Sequence, residues 1–268
     1  MKKLILTLIL GLSLSVSYAQ STDREVGTTT KSGQVILPQA GDFAMGVDAI
    51  SLLGLGDHSD KPSFFYSDGF LGDRLTPTIY GKYFLTNTTA IRVKLHIGFD
   101  SYTDKEMVAK EPSSTNEEVE DKTTYKNNKF GITAGYEIRR GYGRLQGYFG
   151  PEVGLGFGSS SETFDPGNAI SVDYPGIITT KHKDSGKFYA KVGGFAGVEY
   201  FFGPKMSIGG EVGLGFNIAT AGKSSDTTKR WDATGNRVEE ETKDGDNSNS
   251  HTDFKVSYAS ALNVTFYF

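Results

Sequence analysis

The chain has 268 residues, no Cys, 34 Gly, 18 Phe, 14 Tyr, one Trp and a formal charge of −4. Without Cys it is neither a disulfide scaffold nor a cysteine-anchored lipoprotein, and its acidic balance excludes a nucleic-acid footprint. A negative mean hydropathy, with no long apolar run after the first, excludes helical membrane spans but leaves open strands that are apolar only at every second position.

Residues 1–19 read as a secretory signal peptide. Lys2 and Lys3 give a basic start, Leu4 to Val16 an apolar stretch too short to span a bilayer, and Ser17-Tyr18-Ala19 a small-residue cleavage site. Cleavage there starts the mature chain at Gln20 and, by removing the two lysines, takes the charge from −4 to −6. Residues 20–42 are polar, rich in Ser, Thr and Gly, and without a period, which predicts a flexible segment.

From Phe43 a period of two takes over. Residues 43–50 open it, with Phe43, Met45, Val47 and Ala49 on one parity. Residues 78–85 follow, then 90–99, where Ile91, Val93, Leu95, Ile97 and Phe99 oppose Arg92, Lys94, His96 and Gly98. Residues 129–139, 144–157, 188–202 and 206–218 repeat the pattern, and residues 253–268 close it with Phe254, Val256, Tyr258, Leu262, Val264, Phe266 and Phe268 on one face. Long polar stretches follow the odd-numbered strands, at about 51–76, 100–127, 158–186 and 219–251, and short turns follow the even-numbered ones. Eight antiparallel strands with alternating long and short connections predict an all-β, up-and-down transmembrane barrel with both termini on the short-turn side. A soluble sandwich would also alternate. The predicted strands are longer, about 10 to 14 residues, as tilted spanning strands must be, and their polar parity is too rich in Gly for a solvated face. Closing such a barrel requires the first strand to pair with the last.

With YGKYFLTNTTAIRV, GYEIRRGYGRLQGYFGPEVGLG, GVEYFFGPKMSIGGEVGLGF and the terminal VTFYF, the chain from about Phe43 to Phe268 resembles the small outer-membrane β-barrel proteins, the OmpA-like or OmpX-like group often described as a porin family. The resemblance implies a cell outer-membrane location, outer-membrane lipid as surroundings, and insertion by the barrel assembly machinery through a terminal signal carried here by Tyr258, Leu262, Val264, Phe266 and Phe268. It implies no cofactor. The group shares an architecture rather than one activity.

An eight-stranded barrel is wide enough only for its own side chains. The inward parity places Lys82, Arg92, Glu137 and Glu199 in a lower layer, Asp48, Lys94, His96 and Glu211 in a middle one, and Glu152, Lys191 and Lys255 above. Both signs occur in each layer, as buried charges require. Arg139 and Arg144 flank a turn and are expected to reach water. Inward glycines from residue 150 to 215 make one wall bare, so long side chains of the opposite wall should lean towards Glu152 and Glu211. Phe84, Phe99, Phe157, Tyr200, Phe201, Phe202, Phe266 and Phe268 fit the two aromatic girdles.

Three roles remain open on these residues: an anchor for surface loops with a lumen closed by charged side chains, a small passive ion or solute channel, and an enzyme acting on lipids through His96 and Asp48. No Ser or Asp at triad spacing accompanies His96, so the chain reads as a non-enzyme. GLGFG at Gly154 and GLGF at Gly213 lie in alternating strands rather than strand-loop-helix settings, which removes a nucleotide reading. The acidic runs near Glu117 and Val238 lack the spacing of a Ca²⁺ loop and read as solvated surface. What the surface would bind is not encoded in any motif.

Overall fold

The computed structural model describes residues 29–31, 33–48, 78–111, 116–184, 186–245 and 253–268, with Asp48, Thr78 and residues 253–261 described for their backbone alone. Eleven strands form one antiparallel sheet: β1 (Phe43–Asp48), β2 (Thr78–Thr86), β3 (Thr89–Ala109), β4 (Glu118–Tyr142), β5 (Leu145–Asp165), β6 (Ile177–Lys183), β7 (Lys187–Gly203), β8 (Met206–Ala221), β9 (Ser225–Asp232), β10 (Arg237–Asp244) and β11 (Asp253–Tyr267).

Eight of them close a ring in the order β1-β2-β3-β4-β5-β7-β8-β11. The seam is the pairing of β1 with β11, from Ala44↔Tyr267 to Asp48↔Asn263. Just below it, Phe43 and Phe268 exchange backbone hydrogen bonds at 3.3 and 2.7 Å. Closure leaves no strand edge in the ring, so every backbone group there can pair within the wall, which a hydrocarbon solvent demands. Outward residues are the apolar parity: Ile91, Val93, Phe130, Ile132, Phe149, Val153, Leu155, Val192, Val212, Leu214 and Phe216 are all exposed. Such a continuous apolar exterior suits lipid, not water.

Three short turns define one rim. Gly143, at φ +61°, takes the left-handed conformation in the β4–β5 turn. Lys205 does the same in the β7–β8 turn at φ +59°. There its ammonium is held by Asp42 at 2.5 Å and its carbonyl accepts the Tyr267 N–H at 2.9 Å.

The staves do not end where the sequence pattern ends. β3 and β4 pair without interruption from Thr89↔Ile138 to Ala109↔Glu118. β5 pairs with β7 up to Gly158↔Lys187 and then with β6 from Ser161↔Lys183. β6 leads into β7 and β8 into β9, so the β6–β9 ladder continues the β7–β8 ladder after a short interruption. Gly222 N→Gly186 O at 2.9 Å bridges that interruption, and Asp184 N→Ser160 O at 3.0 Å bridges the matching one alongside β5. β10 adds the last stave through its pairing with β9. The regions expected as loops over 100–127, 158–186 and 219–251 therefore contain strands that raise six staves into a palisade above the ring. The first expected connection, at about 51–76, lies outside the described residues.

The amino-terminal segment also departs from expectation. Instead of a flexible polar tail, residues 33–42 fold against the short-turn rim. Ile36 and Leu37 are buried with Ala44, Phe84, Ala90, Phe201 and Tyr267. Backbone bonds Gly41 N→Phe84 O (2.8 Å) and Phe84 N→Asp42 O (2.9 Å), and Ala40 N→Asn87 Oδ1 (2.9 Å), fix it in place. Burying the two aliphatic side chains contributes about 1.5–3 kcal/mol each. Phe201, expected in the aromatic girdle, faces inward as part of this plug, and so does Phe84, which shares the inward parity of Lys82.

Candidate functional site

The ring turns its polar parity into the lumen, and the charged side chains there meet one another. Arg92, on β3, is at the centre. It donates to Glu211 on β8 through both terminal nitrogens, at 2.8 and 2.6 Å, the fork geometry that matches a carboxylate. It also lies 3.7 Å from Glu137 and 3.7 Å from Glu152, and its guanidinium stacks 3.6 Å from the Phe195 ring centroid. Lys94, one step further along β3, reaches Glu211 at 2.6 Å and Glu152 at 3.8 Å. Lys191 on β7 donates to Glu152 at 2.6 Å.

Below them is a second tier. Lys82 on β2 is 3.0 Å from Glu137 and 4.0 Å from Glu199. Its ammonium also lies 4.7 Å from the Tyr148 ring centroid. Glu199 on β7 accepts from Tyr267 Oη at 2.5 Å and contacts Ser207 and Arg139. Arg139 was expected at periplasmic water but is 1% exposed, 3.4 Å from Glu137. Its strand continues to Tyr142 opposite Leu145, so Gln146, Phe201 and Tyr267 lie between Arg139 and the rim. Arg144 does lie at the turn, bonded to the Phe202 carbonyl at 3.3 Å.

The structure therefore brings together Lys82, Arg92, Lys94, Glu137, Glu152, Lys191, Glu199 and Glu211, and adds Arg139. The side chains of Asp48 and Lys255 lie outside the described residues. His96 places its Nε2 3.2 Å from Thr133 Oγ1. The expected layering is compressed: Glu152, placed above Arg92 by counting along strands, meets it, because the ladders set Arg92, Gly135 and Glu152 in one row across β3, β4 and β5 and Gly135 puts no side chain between them. Gly135, Gly193, Gly197, Gly209 and Gly215 leave the space. A Cβ on Gly197 would lie 2.4 Å from Tyr148 Cζ, and one on Gly215 2.9 Å from Lys191 Cε. Tyr80 completes the interior with a short bond to Thr265. Tyr148 and Phe195, which carry cation–π contacts, share the inward parity of Glu152 and Lys191, and nothing in that parity marks their cationic partners.

Electrostatically the described interior holds five cations, Lys82, Arg92, Lys94, Arg139 and Lys191, against four carboxylates, all in mutual contact. Such a knot can fill space and fix strand register. Among the described residues no group of three His, Asp or Glu side chains could hold a metal ion. Gly154 and Gly213 lie within the β5 and β8 ladders, not in phosphate loops.

A ring of eight strands, closed on itself, apolar outside and ionic inside, defines a transmembrane β-barrel of the outer-membrane type. No protein-family model matches the chain, and no curated protein matches it. Several solved structures are similar to it, two of them as follows. A major outer membrane protein of Thermus thermophilus is 13% identical, with a TM-score of 0.39, over 85% of this chain and 100% of that one. OprG of Pseudomonas aeruginosa is 13% identical, with a TM-score of 0.30, over 87% of this chain and 98% of that one.

Proposed function

We propose that the protein is a closed outer-membrane anchor that holds its palisade at the cell surface, with no conducting path through the barrel. The observation carrying this reading is the two-tier ionic knot resting on the Ile36–Leu37 plug. An ion crossing the lumen must displace Arg92 from Glu211 and then the apolar cluster below it. Removing one partner of a buried pair costs about 3–5 kcal/mol, too much for frequent opening. The palisade then serves as the contact surface for material outside the cell.

Insertion is assigned to the terminal strand. Leu262, Val264, Phe266 and Phe268, with Tyr258, form the row read by the barrel assembly machinery. Phe268→Ala should lower the amount of folded barrel in outer membranes without changing the stability of the barrel that does assemble.

The purified protein in planar bilayers tests closure. Silence is expected at all moderate voltages. Stable, uniform conductance steps would overturn the closed reading and favour the passive channel.

A further inference from the structure

The outward face of the palisade continues the lipid-facing face of the ring, yet it carries a different chemistry. Phe130, Phe157 and Phe188 are neighbours across β4, β5 and β7. Four residues further along β4 and β5 runs the row Ser101–Lys126–Ser161–Lys183–Ser225. The next row is Thr103–Thr124–Thr163–Lys181–Thr227–Thr242. Each of the three lysines thus lies between hydroxyl residues on both adjacent strands: Lys126 between Ser101 and Ser161, Lys183 between Ser161 and Ser225, Lys181 between Thr163 and Thr227.

Lys126, Lys181 and Lys183 are exposed, and none makes an ion pair within the described residues, whereas Lys105 and Lys122 on the same face both turn to Glu120 at 3.2 and 3.1 Å, and Lys229 to Glu240 at 3.7 Å. Acids on this face stand at its margins: Asp244 at the far end of the first row, Asp165, Glu118, Glu120 and Glu240 beyond the second. In a chain of net charge −4, the band directly above the aromatic row is therefore locally cationic. Four residues of a tilted strand lift it about 10 Å along the membrane normal, into or just above the headgroup layer.

We infer that this band is a docking surface for the phosphate groups of outer-leaflet lipid headgroups, each phosphate taken by one lysine ammonium and a flanking hydroxyl. Continuity with the lipid-facing belt selects membrane lipid as the occupant, and ammonium beside hydroxyl donors selects phosphate over a neutral sugar. The band fixes how deep the barrel rides and which lipids surround it. A cation near an anionic lipid surface contributes about fivefold to binding, so the three lysines together should contribute on the order of 100-fold.

The test compares the full chain with the triple variant Lys126→Gln/Lys181→Gln/Lys183→Gln and with a charge-matched control, Lys110→Gln/Lys187→Gln/Lys243→Gln, whose positions lie off this face. Each is titrated in neutral detergent with lipid A, with dephosphorylated lipid A and with inorganic phosphate, reading bound lipid by native mass spectrometry and the melting temperature. The parent and control should retain and be stabilised by lipid A, and the triple variant should lose most of both. Equal retention by triple and control would overturn the inference. So would equal protection by dephosphorylated lipid A, and stabilisation by inorganic phosphate alone would replace the lipid with a free anion. None of these outcomes depends on whether the lumen conducts.

Discussion

Glu211→Gln is the sharpest perturbation of the ionic knot. The amide keeps the shape of the side chain but gives up the charge that receives three short bonds, two from Arg92 and one from Lys94. Hydrogen bonds to charged groups are worth about 1.5–3 kcal/mol each, but their loss is not additive here. Glu152 lies 3.7 Å from Arg92 and 3.8 Å from Lys94, so both cations keep a carboxylate nearby. The expected cost therefore falls at the lower end of that for a broken buried pair, about 3 kcal/mol. With a urea dependence of about 1–3 kcal/mol per molar, the midpoint should move down by about 1 M or more in reversible unfolding from lipid vesicles. A second variant separates charge from packing. Glu211→Leu with Arg92→Leu removes both charges, and should lie closer to the parent than Glu211→Gln does, since apolar replacement of a whole buried pair is often neutral. If Glu211→Gln unfolds at the parent's midpoint, the carboxylate is not holding Arg92, and the knot does not close the lumen.

Ile36→Ala should cost about 2–5 kcal/mol in the same assay, because Ile36 is 0% exposed; a cost below about 0.5 kcal/mol would mean the amino-terminal segment does not plug the rim. Gly150→Ala should block assembly, since its Cβ would meet the Tyr136 carbonyl oxygen at 1.8 Å, and a folded barrel of the Gly150→Ala variant on a heat-modifiability gel would refute that packing. In the palisade, Asp226 and then Asp184 hold the His182 imidazole above its ordinary range, with Nδ1 2.5 Å from Asp226 Oδ1 and Nε2 3.3 Å from Asp184 Oδ1. A raised folded value means stability present in full below about pH 6.5 and lost as pH rises through the folded value. Amide exchange in β6 and β9 should thus quicken, beyond the intrinsic rate increase, as pH rises above about 6.5, and His182→Gln should abolish the extra acceleration.

What the sequence disclosed depended on contrast between faces. Within the ring one face meets lipid and the other a polar lumen, so the period of two stands out and the eight staves can be counted. In the palisade neither face meets hydrocarbon. SYTDKEMVA and SDTTKRWD therefore show no apolar parity, and their strand character rests only on Thr and Tyr propensity and on ladders contributed by neighbours. The plug was hidden for another reason: Val35-Ile36-Leu37 is a three-residue apolar island in polar sequence, too short for any period. In Tyr200-Phe201-Phe202 the middle ring shares the inward parity of Glu199, and a run of three aromatics hides that one of them belongs to the interior. At Arg139 closeness to a turn in sequence is not closeness to water, because Gln146, Phe201 and Tyr267 cover it from other strands. The identities of the lumen charges were legible from parity; which acid meets which base was not, since it depends on side chains leaning across a wall of glycines.

The plug has a consequence for the order of assembly. Its seat is built from Ala44, Phe84, Ala90, Phe201 and Tyr267, which come from β1, β2, β3, β7 and β11. Two of these strands meet only at the seam. A seat assembled from both sides of the seam does not exist until the seam has formed. The segment that precedes the first strand in the chain is thus the last to settle, and its protection from protease reports that the cylinder has shut.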